Sequence, residues 1–93
     1  MKKVLASFHW NRGRLGEVSG LFVAREQDLL SAFGKRVYFG EILGKHSDIS
    51  GILDSGDIRI LSDEQSFIHK LVSLVGRDTI SGYNPLKYLE EEE

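Results

Sequence analysis

The chain has 93 residues, a net charge of −2 and no cysteine. It is of single-domain size, and disulfides, thiolate metal sites and a cysteine nucleophile are excluded. Its 41% apolar and 28% charged residues are ordinary for a globular protein with one core.

No apolar run reaches the length of a membrane span. The opening Met1-Lys2-Lys3-Val4-Leu5-Ala6 resembles the start of a signal peptide, but His9, Asn11, Arg12 and Arg14 interrupt it, so no cleaved leader is expected. The lack of cysteine leans towards a reducing, cytoplasmic setting. Charge is unevenly spread. Residues 1–46 carry eight Lys/Arg against four acids, whereas residues 47–93 carry four against ten, including the run Glu90 to Glu93. Such asymmetry is compatible with an anionic partner for the first half, and equally with a solvated surface and an acidic tip.

In chain order, β-branched and aromatic residues at 3–10 predict a strand. The turn Asn11-Arg12-Gly13-Arg14 then leads into a second strand at 17–24, and the two should form a hairpin. Gly20 inside the second strand predicts a bulge or a close backbone approach. A short helix is expected over 25–33, with Leu29, Leu30 and Phe33 on one face and Gly34 just past its end. Alternation over 36–43 predicts a strand, and 44–47 a loop. Segments 48–54 and 57–61 read as strands joined at the hairpin-type turn Asp54-Ser55-Gly56-Asp57.

A second helix then begins with Ser62 as N-cap and Gln65 at the third helical position, and Gly76 ends it. Its apolar stripe of Phe67, Ile68, Leu71, Val72 and Val75 should bury against the sheet. Asn84-Pro85 fits the start of one last helical turn, with Tyr83, Leu86, Tyr88 and Leu89 as anchors.

One pattern recurs. Glu17-Val18-Ser19-Gly20-Leu21-Phe22 and Asp48-Ile49-Ser50-Gly51-Ile52-Leu53 share an acid, a β-branched residue, Ser, Gly and two apolar positions. Each copy precedes a helix that opens with Glu-Gln. The reading is an α+β fold: a single small domain over 1–82 in the order β-β-α-β-β-β-α, with a mainly antiparallel sheet and both helices on one face. A C-terminal tail, 83–93, follows with a short helical turn and an acidic end.

Candidate chemistry is sparse. Lys45, His46, Ser47 and Asp48 form the most polar loop between two apolar strands. Lys45 is able to hold an anion and His46 to exchange a proton near neutral pH. Adjacent His, Ser and Asp are not a triad, which needs groups converging from separate segments. The stretch 40–47 departs from a phosphate-binding loop in glycine spacing, in His46 replacing Ser/Thr, and in the strand that follows. The plain reading is an exposed connection.

The second candidate is Phe8, Trp10, Arg12 and Arg14, a basic-aromatic set suited to stacking on bases and meeting phosphates. Alternation, however, puts Phe8 and Trp10 on one face, as core residues. His9, His46 and His69 are far apart and lack metal-site spacing, so no metal and no cofactor is expected. The favoured reading is a non-catalytic interaction or regulatory module binding a protein or small ligand, with self-association plausible and no membrane contact. The alternatives are a single-stranded nucleic-acid-binding protein using the 8–14 segment, and a small enzyme using His46.

Overall fold

The expected hairpin organises the molecule. In the computed structural model, which describes residues 2–90, Lys3–Asn11 (β1) and Glu17–Arg25 (β2) pair antiparallel in unbroken register, from Lys3 opposite Arg25 to Asn11 opposite Glu17. Gly13 takes the left-handed backbone (φ +60°) that the turn requires. Glu26–Ala32 (α1) follows, buries Leu29 and Ala32, and leaves Leu30 exposed. Arg36–Gly40 (β3) is shorter than the alternation implied, because Gly40 turns left-handed at φ +77° and ends it.

The strands expected to form one hairpin across 54–57 do not pair with each other. Ile49–Ile52 (β4) pairs with β3, whereas Ile58–Ser62 (β5) pairs with β1. Between them Leu53 is fully buried, with its backbone bonded to Gly34 and Lys35. Residues 55–57 form a 3-10 turn closed by reciprocal bonds between Asp54 and Asp57. A buried anchor followed by a self-satisfied turn carries the chain from one sheet to the other.

The second helix, Gln65–Val75 (α2), ends at Gly76 in the left-handed conformation. Its start departs from the expected cap. Ser62 accepts from the Glu64 N–H, while the Gln65 amide reaches back to bond both the N–H and the C=O of Lys3. Thr79–Gly82 (β6) is a strand with no counterpart in the sequence reading, and it pairs with β2. The main sheet therefore runs β5-β1-β2-β6, and β3-β4 is a separate ribbon.

The α+β class and the mainly antiparallel pairing are as expected, but the helices differ in placement. They lie on opposite faces of the main sheet, because alternation splits β1 and β2 between two apolar sets. One set, with Val4, Phe8, Trp10 and Phe22, packs with α1, the ribbon and Leu86; the other, Leu5 and Val23, packs under Ile68 of α2. Phe39 centres the larger cluster, with ring centroids 5.8 Å from Phe8, 5.6 Å from Trp10 and 5.7 Å from Tyr83.

The C-terminal segment belongs to this cluster. Asn84 caps a 3-10 turn over Pro85–Tyr88 by accepting from the Leu86 N–H. Leu89 bridges to Val37, and the Glu90 N–H donates to the Arg36 carbonyl. Glu90 also pairs with the Arg36 side chain at 3.3 Å. The rest of the acidic run, 91–93, lies outside the described residues.

Candidate functional site

The loop after β3 is pinned at its base. Ile42 and Leu43 pack against the larger core, and Leu43 lies close to Gly16. Beyond them the chain turns outward, so Lys45, His46 and Asp48 are exposed and Ser47 is half-buried. His46 adopts φ +64°, the one positive φ at a non-glycine position among the described residues. The Asp48 carboxylate lies beside the Tyr38 hydroxyl. The adjacent carboxylate, together with partial desolvation, raises the Tyr38 pKa above its ordinary value, since ionising the phenol would set two negative charges together. Tyr38 had no mark in the sequence; only cross-strand geometry brings it to Asp48. Acid–base chemistry needs a second titratable group within reach of His46, and no hydrogen bond or ion pair ties such a group to it among the described residues.

The 8–14 set is divided. Phe8 and Trp10 are buried, so neither offers a ring face to a base. The Arg12 guanidinium lies 4.1 Å from the Trp10 ring centre and donates to the Ser50 carbonyl at 3.2 Å. It thus fastens β1 to β4. Of the four, Arg14 alone is exposed. Among the described residues, no group of three His, Cys, Asp or Glu is placed to hold a metal ion, and no helix is long and apolar enough to cross a membrane.

The most unusual surface lies elsewhere, on the α2 side of the main sheet. There β1 runs from buried Leu5 through half-buried Ser7 to exposed His9 and Asn11. Similarly, β2 runs from buried Val23 through half-buried Leu21 to exposed Ser19 and Glu17. The helix covers one end of this face and leaves the other open. On the open half His9 and Glu17 meet at 2.9 Å.

The two flanks of α2 differ. Gln65, His69 and Ser73 share one flank and line a hollow of about 450 Å³ with Lys3. An adjoining hollow of about 300 Å³ holds Arg25, Asp28, Asp78 and Lys87. Most of its charge is neutralised internally, by Arg25 on Asp28 at 2.7 Å and Lys87 on Asp78 at 2.9 Å. The Lys87 hydrogen bond holds the Asp78 carboxyl below the usual carboxylate range.

The opposite flank turns towards the open half of the sheet and is apolar. Phe67 is 45% exposed, Leu74 79% and Val75 40%, with half-buried Leu71 between them. Spacings of three and four residues place these side chains in one stripe. The sequence did show a broad apolar stripe on this helix. It did not show that the sheet beneath takes only Ile68 fully, with Leu71 and Val72 in part.

Compared with family models, with curated proteins and with solved structures, the chain has no significant match.

Proposed function

We propose that this protein is a non-catalytic interaction module, and that it docks a macromolecular partner on the outer flank of α2 and the open half of the sheet beside it. The carrying observation is the exposed stripe of Phe67, Leu74 and Val75. Contiguous apolar surface next to polar surface is how protein-binding sites are commonly built. Covering these partly exposed side chains would contribute on the order of 3 kcal/mol. A cytoplasmic setting, suggested by the lack of cysteine, fits this role.

The test combines stability and contact. A Phe67→Ser, Leu74→Glu double variant should keep its melting temperature, because neither side chain holds the core. A photo-crosslinker at position 74 should capture a discrete partner under native conditions, and lose it in Phe67→Ser. If the double variant unfolds as readily as a core variant such as Ile68→Ala, these residues are structural and the reading fails.

A further inference from the structure

We propose that the partner on this flank is a second copy of the chain, its α2 packed antiparallel against the first; this rests on reading the flank as a docking face. The stripe is self-complementary. A twofold axis passing between Lys70 and Leu71 brings Phe67 of one copy level with Leu74 of the other, and Leu71 level with the stem of Lys70. A single apolar stripe thereby meets itself, as an isologous interface requires.

The charges at the helix ends complete the match. Asp63 and Glu64 stand at the start of α2 and Arg77 just past its end. Asp63 is already paired with Lys2 at 3.2 Å. Glu64, Lys70 and Arg77 are exposed and have no ion pair among the described residues. The same axis sets Glu64 level with Arg77 of the second copy, twice over by symmetry. A parallel arrangement would instead put like charges together. Antiparallel helix dipoles add to the preference. The open half of the sheet gives the second copy's helix room beside the first.

Sedimentation velocity over a concentration series at low and high salt tests this. Wild-type protein should dimerise, more weakly as salt rises. Leu74→Glu should be monomeric at concentrations where the wild type is paired. Glu64→Arg and Arg77→Glu should each weaken the dimer roughly fivefold, and the double reversal should recover most of the loss. Thermal melts establish that each variant is folded.

A wild type that stays monomeric, yet still cross-links through position 74 to a different protein, overturns the second copy and leaves the docking face standing. A dimer indifferent to both Leu74→Glu and Glu64→Arg overturns the inference, and the docking face falls with it only if position 74 also captures no other protein. Single reversals that weaken the dimer without recovery in the double variant overturn the antiparallel register.

Discussion

The two faces of the main sheet are built from the same strands and end differently. On the first face, Val4, Ala6, Phe8 and Trp10 are all buried along β1. On the second, burial stops after Leu5. The difference is one of coverage. A strand of nine residues is about 30 Å long, whereas a helix lying across it covers about 10 Å. The first face receives a ribbon, a helix and the C-terminal segment; the second receives α2 alone. One face is therefore stability, and the other leaves a surface to spare.

Breaking the first face should have the largest effect. Phe8→Ala or Phe39→Ala should cost about 3–5 kcal/mol in a denaturant melt, through lost burial and an unfilled cavity. A much smaller loss would mean that the aromatic cluster does not carry the fold. Gly20→Ala should follow at roughly 2–3 kcal/mol. A Cβ there would lie 1.8 Å from the Tyr83 carbonyl oxygen, so β6 and the segment after it must move. Hydrogen exchange should report their loosening first.

On the second face, Ile68→Ala should cost about 2 kcal/mol, near the lower end for a buried aliphatic, because the cavity is close to solvent. Asp78→Asn removes an exposed pair and should cost at most about 1 kcal/mol. The sign is fixed by linkage. Because Lys87 depresses the Asp78 pKa in the folded state, this stability is present above the usual carboxylate range. It is lost as pH falls through the depressed value. The variant should lose less stability than the wild type over that acid range, by the share that Asp78 contributes. Leu74→Ala should change stability by less than about 0.5 kcal/mol, and a larger loss would place Leu74 in a core.

The repeated hexads show how far local pattern reaches. Both copies form strands, and both glycines mark close approaches, as a strand glycine suggests. The neighbours differ. A Cβ on Gly20 meets the backbone of Tyr83, whereas one on Gly51 meets the Arg12 guanidinium at 2.5 Å. Backbone resists and a side-chain tip yields, so Gly51→Ala should be milder than Gly20→Ala, at the expense of the Arg12–Ser50 bond. One pattern of residue types serves a central strand in one place and a separate ribbon in the other.

Sequence alone determined the hairpin, both helices, their glycine ends, the Asn84-Pro85 turn and the burial of Phe8 and Trp10. These follow from alternation, capping and backbone freedom, which act within a few residues. Tertiary structure decided which strands pair, that β6 exists, that the helices lie on opposite faces, and which part of the α2 stripe stays exposed. Those outcomes depend on what covers each surface, and coverage is set by segments remote in the chain. Phe67 and Val75 were therefore visible in the sequence only as part of a stripe expected to bury, Leu74 was not marked there at all, and the fold alone showed that nothing in the described chain covers the three.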